Sequence, residues 1–256
     1  MRCKDLVIVV SGGGQGIGKE IALRLAAEGA DIVIADISEE NAATAEQVRL
    51  SGQRVLALHT DLRSETSVRD MAQKTLDTFG TVHALVNNSG IVGAMGHIDE
   101  FSLAEWNEAF AINVTGMFLN TRYLLPGLKK QGGSIVNIAS VAAWRPLKCR
   151  SPYCTTKTAV LGFTRCLAED LGEFGIRANS ISPGRVEGPR IEKTMHHGAA
   201  QAGLSYDEYV QKLKSQAALR SFVPPTAVAD AAVFFCSPES AFITGTDLLV
   251  NAGSYM

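Results

Sequence analysis

The sequence predicts one α/β domain, a parallel sheet wound on both faces by helices, and three observations carry that prediction. Apolar, β-branched runs alternate with stretches of helical spacing along the whole chain. The first run ends in a glycine-rich turn, Ser11-Gly12-Gly13-Gly14-Gln15-Gly16-Ile17-Gly18, which opens directly into a helical pattern. An acid, Asp36, closes the second run. With 256 residues the chain can bury a full core, and the length suits one such domain better than two small ones.

Seven strands are expected, at Leu6–Val10, Asp31–Ala35, Arg54–His59, Ala84–Asn87, Ser134–Ala139, Arg177–Ile181 and Asp247–Asn251. Between them lie helical patterns such as Ile21, Leu25 and Ala26, or Val68, Met71 and Leu76. Right-handed crossovers then make the sheet parallel, a doubly wound, Rossmann-type arrangement. Helices are expected over Lys19–Glu28, Glu105–Lys129 and Pro152–Leu171. The segment 188–220, rich in Ala, Gly, Gln, Lys and His, fits this alternation poorly and is expected to form a helical lid over the sheet edge. No repeat, low-complexity tract or linker divides residues 1–256.

Composition excludes several classes. Charged residues are 20% of the chain and the formal net charge is −2, so no basic surplus points to nucleic acid or a membrane surface. No apolar run approaches the roughly 18 residues that span a bilayer. Met1-Arg2-Cys3-Lys4-Asp5 leads into the first strand without a small-residue cleavage site and is not expected to be a signal peptide. Cys3, Cys149, Cys154, Cys166 and Cys236 form no CxxC pair, and their odd number argues against a disulfide framework; a cytoplasmic setting is expected. His196-His197 lacks a ligand set at zinc spacing, and no metal is expected.

In the glycine-rich turn, absent side chains let the backbone bend sharply and approach a pyrophosphate, while the following helix offers free N–H groups to it. The spacing Gly12-x3-Gly16-x-Gly18 differs from GxGxxG, and a tight turn without a ligand would look the same. Asp36 adds support. It lies 18 positions past Gly18, close to the roughly 20 expected of an acid that accepts from an adenosine ribose. A carboxylate there would repel a 2′-phosphate, and neither Ile37, Ser38 nor Gln15 offers a cation in compensation. The expected cofactor is therefore NAD. The alternative is that Asp36 only initiates a helix, since Ser38 and Glu39 are also capping residues.

Ser151-Pro152-Tyr153-Cys154-Thr155-Thr156-Lys157 has the form of a helix start, with Ser151 as cap and Pro152 in the first turn. Tyr153 and Lys157 then share a helix face one turn apart. Ser140 follows the strand Ser134–Ala139, at the sheet edge where ligands sit in parallel folds. Alcohol oxidation needs a base for the hydroxyl proton as hydride leaves carbon, and carbonyl reduction needs the same group as acid. A phenol of pKa about 10 is too weak a base at neutral pH, and a neighbouring ammonium favours its phenolate. Ser140 can donate to the reacting oxygen. Singly, each residue has a structural alternative: a half-buried aromatic, a solvated lysine, a loop hydroxyl.

Taken together, Gly12-x3-Gly16-x-Gly18, Asn87-Asn88-Ser89-Gly90, Asn113, Ser140, Tyr153-x3-Lys157 and Pro183-Gly184 make nearly the whole chain resemble the single-domain short-chain dehydrogenase/reductase family. The resemblance implies that Tyr153 is the general acid/base, that Lys157 acidifies it and binds the nicotinamide ribose, that Ser140 positions the substrate oxygen, and that Asn113 holds a water linking Lys157 to solvent. It implies cofactor contacts from Ser11, Gly12, Gln15, Gly16, Ile17, Gly18 and Asp36. Asp61 and Leu62 would contact adenine, Asn88 and Gly90 would form the cofactor-side turn after the fourth strand, and Pro183, Gly184 and Val186 would lie beside the nicotinamide. It also implies a homotetramer built through the Glu105–Lys129 and Pro152–Leu171 helices. Three positions depart from the family pattern: Ser11 for Thr, Ser89 for Ala, and Gly188 where many members carry a Thr that bonds the nicotinamide amide.

The stretch Val141–Arg150 walls the substrate pocket in that family, and here it holds Trp144, Arg145, Lys148 and Arg150, with Arg185 and Arg190 on the opposite wall. Guanidinium forks suit carboxylate, sulfonate or phosphate oxygens, so an anionic hydroxy or keto substrate is one expectation; solvated or subunit-bridging cations are the other. The expected function is NAD-dependent hydride transfer to or from a secondary alcohol, ketone or sugar hydroxyl. The alternatives are a 3-oxoacyl thioester reductase and a non-catalytic dinucleotide-binding module.

Overall fold

The computed structural model describes residues 1–254, apart from the side chains of Arg190 and Lys193. The strands are β1 (Val7–Ser11), β2 (Asp31–Asp36), β3 (Val55–His59), β4 (Ala84–Asn87), β5 (Gly133–Ile138), β6 (Ile176–Pro183) and β7 (Asp247–Val250). They form one seven-stranded sheet in the order β3-β2-β1-β4-β5-β6-β7, every neighbouring pair parallel. The expected fold class and all seven strands are present, with ends displaced by at most two residues. β1 and β4 are buried at every position, which is why they read as unbroken apolar runs.

The helices are α1 (Gly16–Ala27), α2 (Asn41–Leu50), α3 (Glu65–Phe79), α4 (Leu103–Phe110), α5 (Gly116–Leu128), α6 (Ser151–Leu171), α7 (Pro189–Ala202), α8 (Tyr206–Ser215) and α9 (Pro225–Cys236). Alternate strand residues sort into two cores. Ile8, Val10, Ile32, Ile34, Val86 and Ile138 pack with Ile21 and Leu25 of α1, Val48 of α2 and Val228, Val233 and Phe235 of α9. Val9, Val33, Leu85, Ile135 and Ala178 face the other way, onto Val68 and Met71 of α3, Leu124 and Leu128 of α5 and Leu167 of α6. The strand order reverses between β1 and β4, and their carboxyl ends open the crevice where ligands bind in such sheets.

The structure corrects three sequence expectations. The first helix starts at Gly16 rather than Lys19, because Gly16-Ile17-Gly18 forms its first turn. The single helix expected over Glu105–Lys129 is α4 and α5 separated by a π-turn at Ala111–Thr115. Ser151 lies inside α6 rather than capping it; Arg150 is the preceding residue and makes no side-chain cap bond. Segment 188–220, expected to be helical, holds two helices, α7 and α8. Ser205 caps α8 by accepting from the Glu208 N–H while Glu208 Oε2 accepts from the Ser205 N–H, a capping box legible as Ser-x-x-Glu. His196 stacks on Tyr206 with ring centroids 4.3 Å apart, joining the two helices.

His83, just before β4, carries a pH signature. Its Nδ1 accepts from the Val7 N–H at 2.9 Å, and burial holds its pKa below the ordinary value. The neutral ring is therefore favoured in the folded chain, so its stabilisation is full above the unfolded-state pKa of about 6.5 and is lost as pH falls through the lower, folded value. We expect the melting temperature to drop less between pH 7 and pH 5 in His83→Gln than in the parent, as measured by thermal melts; parallel acid limbs would refute this.

Candidate active site

The glycine-rich turn is shaped by close approach. A Cβ on Gly18 would lie 2.0 Å from the Gly12 carbonyl oxygen and 2.3 Å from Asn88 Nδ2, so the start of α1 touches the turn and the end of β4 at once. Asn88 Nδ2 donates to the carbonyls of Ser11 and Gly12 at 3.1 and 3.0 Å, and the buried Ser11 hydroxyl accepts from the N–H groups of Asn88 and Ser89 at 3.1 and 3.2 Å. The side chains of Ser11 and Asn88 thus hold the turn to β4. Gln15 precedes α1 and makes no side-chain cap bond, so the helix start keeps N–H groups for a phosphate ligand.

Asp36, at the end of β2, turns its carboxylate back to this turn. Oδ2 accepts from the Gly14 N–H at 2.8 Å and Oδ1 from the Ser38 N–H at 2.9 Å. Each oxygen retains acceptor capacity for a hydroxyl. The helix-initiating alternative has a counterpart, because the Ser38 bond is a local turn, but the Gly14 bond ties the same carboxylate to the ligand loop. Asp61 is differently engaged: a fork from Arg63 Nε and Nη2, at 3.0 and 2.8 Å, holds its carboxyl below the usual range. Leu62 is buried in the core beside α3 and α5, which leaves its backbone for any adenine contact.

The proposed catalytic residues converge at the carboxyl edge of β4 and β5. Ser140 directly follows β5, and its Oγ accepts from the Ala142 N–H at 3.1 Å, which leaves its own hydrogen free to donate outward. Lys157 is only 4% exposed; its Nζ donates to the Ile138 carbonyl at 2.8 Å and lies 5.8 Å from the Tyr153 ring centroid. The ammonium and the phenol therefore share one helix face, as their spacing implied. A Cβ on Gly90 would meet Asn113 Oδ1 at 3.2 Å and Lys157 Nζ at 3.4 Å, so Gly90 gives these side chains their space.

Asn113 sits fully buried within the π-turn. Its Oδ1 accepts from the Ile91 N–H at 2.8 Å, and its Nδ2 donates to the Ile91 carbonyl and to Thr156 Oγ1 at 2.9 and 3.0 Å. Thr156 in turn donates to the Tyr153 carbonyl at 2.8 Å. Thr156 and Ile91 are functional neighbours that the sequence reading missed; only the hydroxyl inside Tyr153-x3-Lys157 hinted at one of them.

Pro183 ends β6, and Gly184 follows it against Asn251. Val186 bridges to Val223, and Arg185 Nη2 donates to Gln216 Oε1 at 3.3 Å. Arg145 and Lys148 are exposed and Arg150 is half-buried, while the Arg190 side chain lies outside the described residues. The Trp144 indole reaches Asp247 at the start of β7. A hollow of about 230 Å³ lies between Gly96–Ile98 and Pro146–Cys149, bounded by Cys154. A larger one, about 590 Å³, opens at the opposite end of the strands beside His83 and Arg177 and has no part in this chemistry.

A parallel sheet whose carboxyl edge gathers an uncapped helix start, a carboxylate and a Ser-Tyr-Lys set defines an oxidoreductase of the dinucleotide-binding class. A family model described as enoyl-(acyl carrier protein) reductase matches residues 12–255. A 2,5-dichloro-2,5-cyclohexadiene-1,4-diol dehydrogenase of Sphingobium indicum is 36% identical, over 96% of this chain and 95% of that protein. A trans-4-hydroxycyclohexanecarboxylate dehydrogenase of Sinomonas cyclohexanicum is 34% identical, over 98% and 93%. The solved structure of an NAD+-bound xylitol dehydrogenase superposes with a TM-score of 0.92 at 27% identity, covering 99% of this chain and 100% of that one. The chain belongs to the short-chain dehydrogenase/reductase family. No helix among the described residues is long and apolar enough to cross a membrane.

Proposed function

We propose that the protein is an NAD-dependent dehydrogenase that interconverts a secondary alcohol and a ketone, with a cyclic or sugar-type carbinol as substrate. The observation that carries this is the placement of Ser140, Tyr153 and the buried Lys157 beside the turn that Asp36 closes. The relatives named above act on cyclic alcohols and the similar structure is a polyol dehydrogenase; these support the substrate class.

The dinucleotide, when bound, supplies the hydride donor or acceptor. Gly12, Gly16, Ile17 and Gly18 would cradle its pyrophosphate at the start of α1, with Gln15 alongside. Asp36 would accept from the ribose hydroxyls. Asp61 and the Leu62 backbone would border adenine, and Asn88, Gly90, Pro183, Gly184 and Val186 would border the nicotinamide end. The Lys157 ammonium would hold the nicotinamide ribose. Ser140 Oγ donates to the substrate oxygen and fixes it, and Tyr153 Oη takes the hydroxyl proton in oxidation or returns it in reduction. The positive charge of Lys157 favours the phenolate. Asn113 would hold the water that connects Lys157 to solvent: both Nδ2 hydrogens go to Ile91 and Thr156, while Oδ1, which accepts from the Ile91 N–H, keeps a second lone pair.

Helices α7 and α8 follow the carboxyl end of β6 and would cover the substrate. Arg145, Lys148, Arg150, Arg185 and Arg190 would favour an anionic substrate. A cytoplasmic homotetramer, with the Glu105–Lys129 segment (α4 and α5) and α6 as contact helices, belongs to the same proposal. The test is a panel of neutral and carboxylated cyclic alcohols, polyols, sugar acids, sulfonates and hydroxyacyl thioesters, each with NAD and NADP, followed by nicotinamide absorbance. We expect NAD to be preferred and Asp36→Ala to narrow that preference at least tenfold, since like-charge repulsion of a 2′-phosphate costs several kcal/mol. An equal or greater rate with NADP in the parent would overturn the assignment to Asp36.

A further inference from the structure

The turn that carries Ser140 is tied to the edge strand through one indole. Its inner bonds make residues 140–145 a compact unit: the Ala143 N–H donates to the Ser140 carbonyl at 2.9 Å, and the N–H groups of Trp144 and Arg145 donate to the Val141 carbonyl at 3.0 and 2.9 Å. Trp144 closes this unit, and its Nε1 donates to Asp247 Oδ2 at 2.7 Å. Asp247 opens β7 and lies opposite Ser180 of β6 in the strand register. Its other oxygen, Oδ1, accepts from Ser180 Oγ at 2.6 Å and from Ser182 Oγ at 3.0 Å. Those two serines, one pleat apart on the same face, hold the carboxylate in place, so it presents a fixed acceptor to the indole.

Trp144 is 52% exposed, so burial alone does not fix its ring. Another contact of this unit, from Thr158 Oγ1 to the Ala143 carbonyl, is 3.3 Å long. The indole bond to a carboxylate is shorter and charge-assisted. We propose that Asp247 is a positioning residue for the reaction: through Trp144 it sets the angle at which the Ser140 hydroxyl meets the substrate oxygen. The proposal rests on the function proposed above and adds to it a residue about a hundred positions from Ser140 in sequence, on the outermost strand. Displacement of a substrate-positioning group by an ångström costs up to about a hundredfold in rate.

A double-mutant cycle tests it, with Asp247→Ala and Trp144→Phe, read as kcat/KM for the best panel alcohol and as cofactor affinity by fluorescence titration. Each single variant is expected to lose between about ten- and a hundredfold in kcat/KM with cofactor affinity unchanged, and the double variant to lose no more than the worse single. Ser182→Ala, which removes one of the two serine bonds that hold the carboxylate but keeps the indole link, is expected to lower kcat/KM by less than Asp247→Ala does. The chain has two tryptophans, so in a Trp106→Phe background Trp144 alone reports, and Asp247→Ala is expected to shift its emission. Multiplying losses in the double variant would show that Asp247 acts only by joining β6 to β7, and would overturn the proposal. Should Asp247→Ala not fold, Trp144→Phe decides alone: parental kcat/KM in that variant overturns it. A parent that turns over no alcohol sinks the proposed function and this inference with it; a parent that loses turnover on Tyr153→Phe, yet shows a multiplicative cycle, sinks this inference only.

Discussion

Tyr153→Phe is expected to lower kcat/KM by about a hundred- to ten-thousandfold while the protein binds its dinucleotide and melts as the parent does. The substitution removes one oxygen and keeps the half-buried ring, so the packing of α6 against the sheet is retained. What it removes is the atom proposed to exchange a proton with the carbinol. Ser140 has given one lone pair to the Ala142 N–H, and Lys157 is buried with its Nζ on the Ile138 carbonyl. Steady-state rates, cofactor titration and a thermal melt on the same preparation separate the outcomes. Parental turnover in the Phe variant would leave the proton without a carrier and remove the basis for the chemistry. Equal dinucleotide binding with no turnover in either protein would point to a non-catalytic binding module.

Gly18→Ala is expected to abolish measurable dinucleotide binding and to destabilise the fold by about 1–3 kcal/mol, the range for forcing an extra carbon into a packed site. The new Cβ would sit 2.0 Å from the Gly12 oxygen and 2.7 Å from its carbonyl carbon. Both are backbone atoms, so relief requires α1 to retreat from the turn or the turn to move off β4. The first displaces the helix start from the proposed pyrophosphate position, and the second breaks the pair of bonds from Asn88 Nδ2 to Ser11 and Gly12. Isothermal titration with NAD and a chemical denaturation curve measure the two effects; parental affinity in the Ala variant would show that the close approach has no bearing on the ligand.

The strands were legible because a strand buried on both faces has nowhere to put a polar side chain. Val7–Val10, Ile32–Ala35 and Ala84–Val86 announce themselves in one dimension, and parallel pairing follows from the helical segments between them. The Tyr153–Lys157 pair was legible for a related reason: a helix converts a spacing of four into a shared face. The glycine-rich turn and Asp36 were legible as types of residue at set distances from strand ends.

The π-turn was not, because nothing in Ala111-Ile112-Asn113-Val114-Thr115 interrupts a helical pattern. The break coincides with a buried Asn113 whose partners, Ile91 and Thr156, come from other parts of the chain. The bond from Trp144 to Asp247 was invisible as well, because a residue's distance in sequence says nothing about which edge of the sheet its side chain reaches. Local pattern determined which segments are strands and helices and which side chains can meet along one of them. Only the packed tertiary structure decided which groups share a hydrogen bond across elements, since those bonds depend on the order and register in which seven strands are laid side by side.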